Sequence, residues 1–507
     1  MEILSNLLVI FTKPELILLV GIGTFAGVYI GVIPGISGTM AVSLLVSFTF
    51  GWSTYSALAV MVGVYIGVVY GSARPAILLN IPGGPSAVAT GFDGYPLAKK
   101  GLAGVAMGLT AIQSFIGTVL GVIGLATLAP LVSQIALKFH SVDYLMLAFM
   151  GLMMVGSIGS GLSIRKGIIG GAIGLVLGCV GIDPQTAVKR FTFNIVYLNS
   201  GVDFIVAMVG LFGASEALIQ LSELNLKIVK QNVSKIVPPW KEVLKYLPLT
   251  IRSAIIGFLV GVLPGAGGDI AALLSYDIAK RTVKKPKVPF GEGAFEGIIA
   301  PETANSSLIG GAFIPMLCLG IPGDGITAVM ISALTIHGLQ PGPNLMRTTP
   351  ELFWVIVLFL CISSVFLLVF GLTGIKLFTK LIEIPKGILM PIILILSVIG
   401  SFAIRNSLYD IFWMFGFGII GFFLKRFKYP IAPVVLGIIL SYLFETNYRR
   451  GVLLQGSVMG MFGSIFTSFV SMLLFAFIIF LFVSQSNIFR KLTKSGDKAA
   501  KAPHVID

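Results

Sequence analysis

Apolar runs of membrane-crossing length follow one another along nearly the whole chain, parted by short polar loops. Crossing a hydrocarbon core takes about 20 apolar residues in a helix, and about twelve runs reach or approach that length. In the first half of the chain the pattern predicts helices over 14–33, 38–50, 55–71, 84–92, 103–130, 142–160, 166–182 and 201–220. In the second half it predicts them over 249–263, 268–280, 303–320, 325–339, 352–375, 386–404, 409–424, 430–445 and 452–484. Residues 221–247, between the two sets, are polar and basic, and 486–507 form a polar tail expected to be disordered. The run from Pro14 reaches its first interruption without a small-residue cleavage site and reads as a retained helix.

The interruptions come in pairs. Gly31-Val32-Ile33-Pro34-Gly35-Ile36-Ser37-Gly38 returns as Gly261-Val262-Leu263-Pro264-Gly265-Ala266-Gly267-Gly268, and Ile81-Pro82-Gly83-Gly84 returns as Ile321-Pro322-Gly323-Asp324. Helix breakers at matching places in two apolar halves mark transporters in which unwound backbone near the bilayer midplane meets the solute. The expectation is an all-α, polytopic membrane protein of about twelve segments. It has two inverted-topology repeats, 1–220 and 248–485, a basic connector at 221–247, and Pro-Gly-broken re-entrant helical hairpins.

Loop charges set the direction of each repeat. After the first interruption, half one has the uncharged Gly51-Trp52-Ser53-Thr54, whereas half two has Lys280, Arg281, Lys284, Lys285 and Lys287. After the second the bias reverses, with Lys99 and Lys100 in half one against Arg347 and Glu351 in half two. Basic loops stay in the cytoplasm, so corresponding loops fall on opposite sides, and the connector and tail are cytoplasmic. Segments 249–263 and 268–280 are each too short to cross about 30 Å, which predicts a re-entrant hairpin with Pro264-Gly265 at its tip.

Composition narrows the function classes. The chain is 56% hydrophobic and 11% charged, with mean hydropathy +0.99, whereas a soluble chain carries about 25% charged residues. The excess of 35 Lys+Arg over 21 Asp+Glu sits in short loops, which fits cytoplasmic loop bias better than nucleic-acid binding. Cys179, Cys318 and Cys361 stand singly in apolar runs without metal-ligand spacing, and the three histidines form no His-Glu-x-x-His pattern. No cofactor and no enzymatic activity are expected.

The chemistry belongs to the interruptions. Proline removes a backbone donor and glycine lets the chain turn, so each tip carries unpaired amides and carbonyls. The helix that starts there aims its free N–H groups and positive dipole end at the tip, which suits a carboxylate. The carbonyls ending the preceding helix suit Na⁺. Candidate solute contacts are Gly35, Ser37, Gly38, Asn80, Pro82, Gly83, Gly265, Gly268, Asn305, Ser306, Pro322, Gly323 and Arg74. Candidate coupling-ion residues are Thr39, Asp269, Asp324 and Thr327. Helix capping is the competing account of Ser37, Asp269 and Asp324, while Asn80 and Asn305 precede a break, where N-capping explains them poorly. Arg74 either clamps a carboxylate, snorkels to the interface or pairs with an acid. Glu302 reads as a partner of a basic loop or a helix cap, and Glu216 as an interfacial charge.

Gly31–Gly38, the run 76–83, the run 92–101, Gly181-Ile182-Asp183-Pro184 and Arg190-Phe191-Thr192-Phe193 together form a specific pattern. So do Gly261–Gly268, the run 300–305, Gly320-Ile321-Pro322-Gly323, the run 337–343 and Tyr429-Pro430-Ile431-Ala432-Pro433. With them the chain resembles the large membrane subunit of the tripartite tricarboxylate transporters over nearly its whole length. The resemblance implies a multi-pass protein of the cell inner membrane that takes up a tri- or dicarboxylate, driven by Na⁺ or H⁺. It also implies a small four-helix membrane subunit and a periplasmic solute-binding protein as partners. Three departures lie near the expected site: Gly71-Ser72-Ala73-Arg74 in place of a Gly-Gly-Ser type stretch, Asp269 in place of a small or hydroxyl residue, and Asn305-Ser306-Ser307 in place of Asn-Asn-Ala. A passive anion channel is the competing reading, since it too can use repeats and broken helices. An intramembrane enzyme is disfavoured because no helix carries a nucleophile–base pair.

Overall fold

The computed structural model describes residues 13–33, 36–158, 164–183, 186–222, 244–374 and 386–484. Pro34, Gly35, most of the connector and the tail lie outside the described residues. In half one the helices are α1 (Pro14–Gly31), α2 (Gly38–Thr49), α3 (Thr54–Gly71), α4 (Ala73–Leu79), α5 (Val88–Leu97), α6 (Ala103–Ala136), α7 (Ser141–Ile158), α8 (Ile164–Gly178) and α9 (Phe204–Ser222). Half two continues with α10 (Leu247–Val262), α11 (Gly267–Thr282), α12 (Glu296–Leu319), α13 (Gly325–Ile336), α14 (Pro350–Thr373), α15 (Lys386–Arg405), α16 (Leu408–Arg426), α17 (Ile431–Gln455) and α18 (Phe469–Ser484). The sheet among the described residues is one antiparallel pair, Gly181–Ile182 with Lys189–Arg190.

Among the described residues, seven helices are long and apolar enough to cross a membrane, or eight if the bent pair Val458–Phe466 and Phe469–Ile479 counts as one span. The expected about twelve crossings are not reached on that criterion. The interruptions leave shorter apolar helices at Gly38–Thr49, Leu247–Val262 and Gly325–Ile336. The helices α10 and α11, 16 residues each, pack on each other, and at 1.5 Å per residue each reaches only about 24 Å.

Corresponding elements of the two halves pack in corresponding ways. In half one α1 lies on α3, and in half two α10 lies on α12. The long α6 then crosses to half two and packs on α12 and α10, while α14 crosses to half one and packs on α1 and α3. Likewise α7 and α8 pack on α17, and α15 and α16 pack on α9.

Small residues make these contacts possible. Gly23, Gly27 and Gly31 of α1 face Val60, Val64 and Val68, and Gly63, Gly67 and Gly71 of α3 face Val20, Thr24 and Val28. A Cβ on Gly27 would lie 2.7 Å from the Val64 Cα, and one on Gly67 would lie 2.6 Å from the Val28 nitrogen. Backbones this close gain dispersion contact where lipid offers no hydrophobic drive, the usual logic of small-residue helix interfaces. In half two Gly257 and Gly261 meet Ala304 and Leu308, and Gly121 of α6 meets Ser307.

Two helices run further than the apolar pattern implies. Helix α17 continues past 445 through Glu445, Arg449 and the exposed Arg450 to Gln455 because Glu445 and Arg449 are paired. Arg449 reaches Glu445 at 2.6 Å and Asp183 at 2.7 Å, and Arg190 pairs with Glu445 and, at 3.7 Å, with Asp183. Helix α12 starts at Glu296 instead of 303, running through Pro301. Glu302 therefore neither caps a helix nor joins a basic loop: it is buried inside α12 and accepts from Ser114 at 2.9 Å and Thr90 at 3.1 Å. The run 452–484 is likewise divided, since Gly456 ends α17 with φ +69° and a short helix, Val458–Gly463, precedes α18.

Candidate functional site

The two second interruptions are built alike. Asn80 closes α4 with φ +59° and Gly320 closes α12 with φ +71°. In both cases the isoleucine that follows donates back to a proline carbonyl, Ile81 to Pro75 at 3.3 Å and Ile321 to Pro315 at 3.1 Å. Each closure reaches six positions back, one more than a Schellman end, and turns on a left-handed residue, a position that favours glycine or asparagine. The first interruption of half two is tied to the second, with Gly265 donating to the Pro322 carbonyl at 3.1 Å. Gly265 and Gly267 at this tip both take positive φ, 76° and 73°, which an L side chain adopts only under strain.

All four interruptions border one cavity of about 910 Å³. It is lined by Ser37, Gly38 and Thr39, by Pro82, Gly83 and Ser86, by Gly265, Gly268 and Asp269, and by Asn305, Asp324 and Gly325. The starts of α2, α11 and α13, and the 3-10 turn Pro85–Ala87 leading into α5, thus share one space. Helix N-termini present unpaired N–H groups and partial positive charge, which Asp269 and Asp324 on the same wall partly offset.

Capping and lining coincide at two residues. Ser37 accepts from the Met40 amide at 3.2 Å, and Asp324 forms a capping box with Thr327. The second Asp324 oxygen accepts from the Tyr65 hydroxyl at 2.5 Å. Asn305 is buried, with its side-chain oxygen against Gly268. A Cβ on Gly268 would also meet Ser86 at 3.3 Å.

Other sequence candidates lie elsewhere. Asn80 is exposed and outside the cavity wall, and its left-handed helix-ending position accounts for it without a solute. Ser306, Pro322, Gly323 and Thr327 are buried behind the wall. Arg74 is fully buried away from the cavity: it donates to the Tyr70 carbonyl at 2.6 Å and the Thr110 hydroxyl at 2.8 Å, with its guanidinium over the Tyr70 ring. It is therefore neither a clamp at the cavity nor an interfacial residue. Gly35 lies outside the described residues.

Tyr65, buried behind the wall, and the wall residues Glu216 and Lys425 were not among the sequence's site candidates. Tyr65 looks like any aromatic of an apolar helix, yet aligning the Ile-Pro-Gly interruptions puts it in register with Asn305. Glu216 and Lys425 line the cavity as an ion pair between α9 and α16, so Glu216 is more than an interfacial charge. A π turn at Val209–Ala214 precedes Glu216. Such an inserted residue rotates everything after it by about 100°, a shift that apolar periodicity does not reveal.

A family model for the tripartite tricarboxylate transporter TctA family matches residues 17–436. The chain belongs to that family. An uncharacterised 52.8 kDa protein of Agrobacterium vitis, from the TAR-I region 3′ of ttuC′, is 34% identical over 469 residues, covering 90% of this chain and 91% of its own. A second Agrobacterium vitis protein, from the corresponding TAR-II region, is 37% identical over 199 residues, 39% of this chain and 82% of its own. No solved structure matches. Family membership and the apolar helices make this TctA-family chain a multi-pass membrane protein of a transport system that includes other subunits.

Proposed function

We propose that the chain is the large membrane subunit of an ion-gradient-driven secondary transporter in the cell inner membrane. It imports a tri- or dicarboxylate delivered by a periplasmic binding protein, alongside a small four-helix membrane subunit. The observation that carries this reading is the convergence of the helix starts at all four interruptions on one cavity. Among the described residues, the wall carries three carboxylates, Glu216, Asp269 and Asp324, against one cation, Lys425. A carboxylate solute entering such a wall needs accompanying cations, and Asp269 and Asp324 at the helix starts are the groups to hold Na⁺ or H⁺. That balance favours symport over a passive channel.

Inverted repeats are part of the proposal, supported by the exchanged packing of α6 and α14. Loop contacts support the orientation: Lys100 donates to the Glu292 carbonyl at 2.7 Å, so the basic stretch of half one meets the loop that carries the basic stretch of half two. Glu216, Gln220 and Lys425 border the cavity beside the connector, which in this reading makes the structure open toward the cytoplasm.

The test is uptake of labelled carboxylates by the complete transporter in vesicles with imposed gradients. Accumulation that collapses when the Na⁺ and proton gradients are removed is the expected result. Flux that persists and follows only the solute's own gradient would establish the channel instead.

A further inference from the structure

The cavity wall holds a charged station that the four turns do not explain. Lys425, in the last turn of α16, is ion-paired with Glu216 of α9, their side chains 28% and 18% exposed. The other Glu216 oxygen accepts from the Gln220 side-chain amide at 2.8 Å. A lysine facing a cavity within a membrane bundle is costly to keep and marks a solute pathway more often than a packing contact. Its ammonium carries three donors, and Glu216 is the charged partner set against it on this wall. A solute carboxylate brings the same charge and the same two oxygens as Glu216.

We propose that Lys425 is a carboxylate subsite, guarded by Glu216 until a carboxylate of the solute replaces it. The inference rests on the carboxylate reading of the four turns and deepens it. A solute whose first carboxylate meets the helix starts needs a second one to engage Lys425. The pair therefore selects di- and tricarboxylates over monocarboxylates, and Glu216, once released, returns to the lysine as the solute leaves.

The experiment is uptake kinetics of the complete transporter with citrate and succinate as probes and butyrate as the single-carboxylate comparison. Lys425→Gln is expected to raise KM for the transported polycarboxylate about tenfold or more, the loss expected for a charged hydrogen bond. Lys425→Arg should stay close to wild type, and Glu216→Gln should lower KM by removing the competitor. Where Lys425→Gln is lost from the membrane, the double variant Glu216→Gln/Lys425→Gln carries the test, since it leaves no charge unpaired. A raised polycarboxylate KM in the double variant supports the subsite, and a wild-type KM there would reduce the pair to a structural strut and overturn it. An unchanged KM in a well-expressed Lys425→Gln protein would overturn it too. Wild-type protein that takes up none of the probes, or butyrate as readily as the others, counts against the carboxylate reading or its selectivity before any variant is made.

Discussion

At the residue scale, capping a helix and bordering the cavity are compatible roles, not alternatives. Ser37 and Asp324 each hold the first amides of a helix while bordering the cavity. Asp324 has a second oxygen committed to Tyr65, so a cation bound there would compete with that hydroxyl. Asp324→Asn should change the ion dependence of uptake more than solute KM, and Tyr65→Phe should change it in the opposite sense by freeing the carboxylate. Uptake measured against Na⁺ concentration and pH checks both; unchanged ion dependence in Asp324→Asn leaves capping as the residue's whole role. The two asparagines now part company. Asn305→Ala should abolish uptake with membrane insertion intact, because Asn305 faces the Gly268 turn. Asn80→Gly should retain uptake, and Asn80→Ala should cost about 1 kcal/mol of stability through its left-handed backbone. Normal uptake in Asn305→Ala would remove it from the site. Asn80 was legible in the sequence after all, since it stands where the second half has Gly320.

At the element scale, the interruptions could be read directly, because proline and glycine act locally and in pairs. The extents of α12 and α17 could not. Apolar periodicity stops at Glu302 and Glu445, whereas the helices continue because Thr90 and Ser114 satisfy Glu302, Arg190 satisfies Glu445 and Asp183 satisfies Arg449, all from distant parts of the chain. The glycine registers of α1 and α3 lead to a further expectation. Gly67→Leu should force the helices apart, since even a methyl would strike the Val28 nitrogen and the Gly27 carbonyl carbon. Overpacking of this kind costs about 1–3 kcal/mol or more. It should appear as a lowered melting temperature in detergent, whereas Gly51→Leu, at a position with nothing within 4 Å, should leave the melting temperature unchanged.

At the scale of the whole molecule, charge bias and motif pairing in the sequence pointed to two related halves but not to how they interlock. Register between distant helices is set by side-chain complementarity that no local pattern encodes. Cysteines at 100 and 284 should label from the connector side and one at 53 from the other; labelling of all three from one side would break the proposed orientation. The exchange of α6 and α14 also bears on assembly. Each half supplies a helix that packs on the other, so Gly117 and Gly121 of α6 stay uncovered until Thr303 and Ser307 of α12 arrive. A nascent first half must wait in the bilayer with α6 unmatched until the second half emerges. Severing the polypeptide within residues 223–243 would therefore yield two fragments that are unstable alone and mutually rescuing when made together.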